Sequence, residues 1–136
     1  MADPEEIQEW LNKADEDRLV VEVLMRTGEE LTLPCMFHLQ QMVEKLLKAL
    51  ILVQGNRFER THDLTRLATI SKTEDVQGLS EISETLNLFA VNGRYPGDLP
   101  EIDIHAARHY RDTAFAIRDE LLARIKKHGR SETKMA

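Results

Sequence analysis

An all-α fold, an antiparallel up-and-down bundle of about five helices, is predicted by two features of the chain. Apolar residues recur at steps of three and four through most of the sequence, and Gly and Pro punctuate it into helical blocks. No stretch alternates apolar and polar residues for long enough to make a strand, because the β-branched run from Leu19 to Leu24 keeps a helical step with its neighbours.

The first helix is read over residues 5 to 26, with Ile7, Trp10, Leu11, Ala14, Val21 and Leu24 on one stripe and Gly28 as its stop. The second begins near Pro34, which a first helical turn tolerates, and carries Phe37, Val43, Leu46, Leu47, Leu50 and Ile51 to Gly55. It is the most apolar of the set, and Cys35 is read as one of its small core residues. A short third helix starts near Thr61 or His62 and runs through Leu64, Leu67 and Ala68 to about Ser71. The fourth carries Leu79, Ile82, Leu86 and Phe89 and ends near Gly93. The fifth is long, from Ala107 through Tyr110, Ala114, Ile117 and Leu121 to Ile125, with Gly129 after it and a frayed tail over residues 131–136. Between the last two, Pro96, Gly97 and Pro100 mark the one long loop, Arg94 to Ile104. The short connections imply antiparallel neighbours.

A chain of 136 residues is expected to form one domain over 1–136, with its core at about 5–128, and to bury roughly two thirds of its unfolded surface. With 42% hydrophobic and 31% charged residues it has the balance of a globular protein. Its single cysteine excludes an internal disulfide, the N-terminus is acidic where a signal peptide would be basic, and no apolar run reaches membrane-span length. A cytoplasmic protein with no membrane contact is expected.

The formal net charge of -6 argues against duplex nucleic acid as a partner. Its distribution is uneven: residues 1–30 hold ten acids and three bases, whereas 105–130 hold seven bases and three acids. Such a distribution suits either a basic face for an anionic ligand or the preference of a helix C-terminus for cations.

Chemistry-bearing residues gather at the junction of helices two and three. Arg57 and His62 are spaced R-x4-H. An Arg fork can hold a phosphate while a His moves a proton near neutral pH. The same segment also reads as capping, with Thr61 as the cap of helix three, Asp63 against its positive end and His62 bonded locally. Glu44 and Lys48 form an i,i+4 pair, worth about 0.2–0.5 kcal/mol when exposed. Beside an apolar stripe, such charges point alternatively into a ligand groove or a dimer interface, where each needs a partner. His105 and His109 share a helix face but lack the Glu of a H-E-x-x-H site, so no metal is expected. Phosphate loops, dinucleotide fingerprints and nucleophile elbows are missing, and no cofactor is expected.

Trp10 and Ala14, then Gln41-Met42-Val43-Glu44-Lys45-Leu46-Leu47-Lys48-Ala49, then Thr61-His62-Asp63-Leu64, then Arg94-Tyr95-Pro96 occur in an order that resembles the HEPN domain over roughly residues 5 to 128. The resemblance implies an all-α bundle that forms a homodimer. It also implies a nucleotide or single-stranded RNA as ligand, and a minimal nucleotidyltransferase as partner in a toxin–antitoxin-like system. Lys48, Arg57, His62 and Arg94 would then line the ligand surface. Some HEPN proteins are metal-independent RNases that pair Arg-x4-6-His motifs across a dimer, which would make Arg57 and His62 catalytic here. The sequence departs from that nuclease pattern. Phe58 follows Arg57 where the nucleases usually have a polar residue, their motif commonly lies on a later helix, and Arg94 has no His within six residues. A dimerisation scaffold without a ligand is the third reading.

Overall fold

Five α-helices are found in a computed structural model, which describes residues 3–90 and 96–135 of the chain. Among the described residues there is no strand.

Helix α1, Pro4–Arg26, begins where the Asp3 carboxylate accepts the Glu5 backbone N–H at 2.9 Å and Pro4 supplies a pre-set first turn. Gly28 then turns the chain at φ +80°, and α2, Thr32–Val53, returns along α1. Helix α2 is the centre of the molecule. It packs against α1, α3, α4 and α5, and Met36, Leu39, Met42, Val43, Leu46, Leu47 and Leu50 are all buried on it. Cys35 lies in the same interior.

Helix α3, Leu64–Ser71, starts two or three residues later than the apolar pattern suggests. The cap is Asp63 rather than Thr61: the Asp63 carboxylate accepts from the backbone of Thr65 and Arg66, whereas the Thr61 hydroxyl accepts the Asp63 N–H outside the helix. Asn87 locks this corner by accepting the Leu64 N–H and donating to Asp63. Helix α4, Leu79–Asn87, ends short of the expected Gly93, and Gly78 at φ +85° opens it. After a single 3-10 turn at Pro96–Asp98, α5 spans Ile104–Met135. Gly129 does not stop α5, because its backbone stays helical instead of adopting the positive φ seen at Gly28, Gly55 and Gly78. The tail read as frayed therefore continues the helix to Met135.

Three arginines of the basic helix face acids. Arg124 meets Asp75 at 2.8 Å and Glu120 at 3.0 Å, Arg118 lies 3.6 Å from Asp15, and Arg111 pairs with Asp112. Of these contacts, Arg118–Asp15 joins α5 to α1 and Arg124–Asp75 joins it to the α3–α4 connection, while the others lie within α5. Among the described residues no helix is long and apolar enough to cross a membrane.

Candidate functional site

Glu44 and Lys48 lie on the central helix α2, so their i,i+4 pair is interior and not solvated. Their side chains are 4% and 7% exposed, and Lys48 Nζ donates to Glu44 Oε2 at 3.2 Å. Burying two charges is costly unless each is paired and hydrogen-bonded, and here both are. Lys48 Nζ also sits 5.4 Å from the centre of the Trp10 ring and 5.2 Å from that of Phe58, two rings in edge-to-face contact that cover it. The family resemblance implied Lys48 on the ligand surface; the structure places it beneath these rings, as the counter-charge of Glu44.

The other carboxylate oxygen is engaged as fully. Glu44 Oε1 accepts from Gln40 Nε2 at 3.1 Å and lies 2.8 Å from His62 Nδ1. Gln40 ties the arrangement to the chain by donating also to the His62 carbonyl at 3.0 Å. A carboxylate only accepts, so Nδ1 carries the proton toward Glu44 and Nε2 is left as an acceptor on the other edge of the ring. His62 is 60% exposed. The result is a largely exposed imidazole whose tautomer and orientation are set by a buried acid. The local bond expected for His62 is replaced by one that reaches eighteen residues back.

Arg57 does not join the Glu44 cluster through any hydrogen bond or ion pair among the described residues. It is exposed and lines a cleft of about 650 Å³ with Asp3, Glu6, Asn56 and Arg60, and no ion pair engages it among the described residues. Lys48 and His62 thus share Glu44, whereas Arg57 has no contact with that cluster; Phe58, next in sequence, turns inward to cover it. Arg94 lies outside the described residues. A cleft of about 670 Å³ between α4 and α5 is lined by Asp75, Glu81, Asp112 and Glu120, a charge unsuited to phosphate. His109 there faces Glu81 at 3.4 Å, and no group of three metal-ligating side chains occurs among the described residues.

Gln40, Trp10 and Phe58 were not read as site residues from the sequence. The available signal was Gln40-x3-Glu44-x3-Lys48, three polar residues at single-turn spacing inside an otherwise apolar helix.

The family model of the HEPN domain matches residues 7–127. The chain belongs to the HEPN domain family. Among solved structures, the HEPN chain is similar to the crystal structure of TT1696 from Thermus thermophilus, with TM-score 0.61 and 26% identity, over 90% of this chain and 97% of that one. A search of curated proteins found no significant match. Within the family match fall α2 to α4, most of α1 and α5, and every residue of the Glu44 cluster.

Proposed function

We propose that this HEPN protein binds a nucleotide or single-stranded RNA through His62, as a cytoplasmic homodimer that partners a minimal nucleotidyltransferase in a toxin–antitoxin-like system. One observation carries the reading: a buried carboxylate, held by Lys48 and Gln40, orients an imidazole that is itself exposed. In this role His62 Nε2 accepts from a ribose hydroxyl, Arg57 supplies a fork for a phosphate held in its own cleft, and Lys48 acts only through Glu44. Calorimetry with ATP and with short single-stranded RNA tests it. Heat of binding that disappears in His62→Ala supports the reading, and no binding by the protein, alone or with its nucleotidyltransferase, removes it.

The same carboxylate–imidazole contact favours a second reading, metal-independent RNA cleavage. His62 Nε2 would take the proton of a ribose 2′-hydroxyl, whose oxygen attacks the adjacent phosphorus and expels the 5′-oxygen of the next nucleotide, and the imidazolium would return that proton to the departing oxygen; Arg57, which has no bond to the Glu44 cluster, would meet the phosphoryl oxygens only across a homodimer. Cleavage that persists in chelator and is lost in His62→Ala supports this reading, while a His62→Ala protein that cleaves as fast as the parent refutes it.

A further inference from the structure

Helix α1 carries two stripes. The inner one, with Ala14, Asp17 and Val21, is buried. On the opposite side Asn12, Glu16, Leu19, Val23 and Arg26 follow each other at steps of four and three, the spacing of a seam that meets another helix. All of them are exposed, Leu19 at 45% and Val23 at 54%. Val23 is β-branched and a weaker helix former than Glu, Lys or Gln, so a face that only met water would be better served by those residues.

The charges of α1 divide in the same way. Beside the inner stripe, Arg18 is bonded to Asp15 and Glu22, and Asp17 to His38 and Lys45. On the outer stripe no ion pair engages Glu16 or Arg26 among the described residues; Arg26 Nε donates only to the Glu22 carbonyl of its own helix. The outer stripe is also symmetric about Val21, with Leu19 and Val23 equally far on either side of it, and Glu16 and Arg26 equally far beyond them. A two-fold axis at that point, relating α1 to an antiparallel copy, brings Leu19 against Val23 of the second copy and Glu16 against Arg26 of the second copy, and repeats both contacts by symmetry. Glu22, the acid that comes nearest its own equivalent, is already neutralised by Arg18 at 2.8 Å. Parallel helices would instead set Glu16 beside Glu16 and Arg26 beside Arg26, which repel.

We infer that α1 packs antiparallel on α1 of a second copy of this chain, with Leu19 and Val23 as the apolar centre and a Glu16–Arg26 ion pair closing each end. The inference rests on the homodimer of the proposed function and gives it a face and a register. From Asn12 to Arg26 the stripe is about 21 Å long, a small contact for a dimer, so dissociation in the micromolar range is expected.

Sedimentation equilibrium of the full chain, from low to high micromolar concentration, tests it. Glu16→Arg and Arg26→Glu each turn both end contacts from attraction to repulsion and should weaken the dimer roughly tenfold. The double variant restores opposite charges in the same register and should return to the parent's affinity. An equimolar mixture of the two single variants should form a heterodimer, because each end contact then joins opposite charges. Leu19→Lys, at a position exposed in the protomer, should give a monomer with the parent's helical circular dichroism. A parent that stays monomeric would remove the homodimer and this interface together, while binding of ATP or RNA by that monomer would leave the His62 reading standing. A dimer indifferent to Leu19→Lys, or to both charge reversals, would overturn the α1 interface and leave the homodimer to another face. Charge reversals that weaken the dimer without recovery in the double variant or the mixture would overturn the antiparallel register.

Discussion

Replacing Lys48 by Met removes one charge from the Glu44 cluster while keeping an unbranched chain of similar length beneath Trp10 and Phe58. An exposed ion pair of this spacing would contribute under about 1 kcal/mol. Here the Glu44 and Lys48 side chains are 4% and 7% exposed, so the relevant case is a buried charge stripped of its partner, at about 3–5 kcal/mol. Gln40 and His62 still donate to Glu44, which places the expected loss near the lower end, about 3 kcal/mol. For a chain of this size that is a fall in Tm of roughly 10 °C. Urea unfolding can be followed by the fluorescence of Trp10, the one tryptophan, which reports on this contact directly. Glu44→Gln and the double variant complete a cycle whose coupling should exceed about 1.5 kcal/mol, because a neutral amide in place of the carboxylate no longer needs the lysine. A Lys48→Met protein within about 1 kcal/mol of the parent, or single effects that add within about 0.5 kcal/mol, would refute the buried-pair account.

Asp63→Ala should cost about 1 kcal/mol through loss of the α3 cap and its Asn87 contact, and a thermal melt indistinguishable from the parent's would contradict the assignment. Gly78→Ala should destabilise by about 1–3 kcal/mol, since the residue sits at φ +85° and an added Cβ would lie 2.6 Å from Thr113 Cγ2. Gly129→Ala, helical and with open space around it, should instead stabilise by about 0.5 kcal/mol; the opposite order in denaturant midpoints would show that these backbone assignments are wrong. Asp15, Glu59 and Asp75 are held below their ordinary pKa values of 3.8, 4.5 and 3.8, chiefly by hydrogen bonds from Arg18, Arg66 and Arg124. Folded-state values below unfolded ones contribute stability that is present above the ordinary values and lost as the pH falls through the folded ones. Tm should therefore decline below about pH 4, modestly and less so in high salt because these groups are exposed. A Tm that rises on acidification would contradict this ion-pair assignment.

The all-α class was legible because helix burial leaves a three-to-four-residue period, strong in α2 and clear in α1 and α5. Boundaries were less legible where a local cap competes with the apolar pattern, as at Asp63, and where a glycine stays helical, as at Gly129. The family was legible from the order of short motifs around Glu44, His62 and Arg94. Lys48 and His62 were both singled out as ligand residues, and the structure brings both to Glu44, His62 exposed but Lys48 buried rather than on a ligand surface. That they meet there was not legible, since eighteen residues and a reversal of the chain lie between Glu44 and His62. Asp17 carried a signal of its own, an acid between Ala14 and Val21 at core spacing, but its partners His38 and Lys45 belong to another helix.

By itself, then, the sequence determined which helices form and which family the chain belongs to, because both depend on spacing along one chain. Tertiary structure alone decided which charges are buried, that Lys48 lies under two aromatic rings, and that His62 stands exposed on a buried acid. Burial and long-range hydrogen bonding are properties of the packed helices together, and no local pattern of residues encodes them one helix at a time.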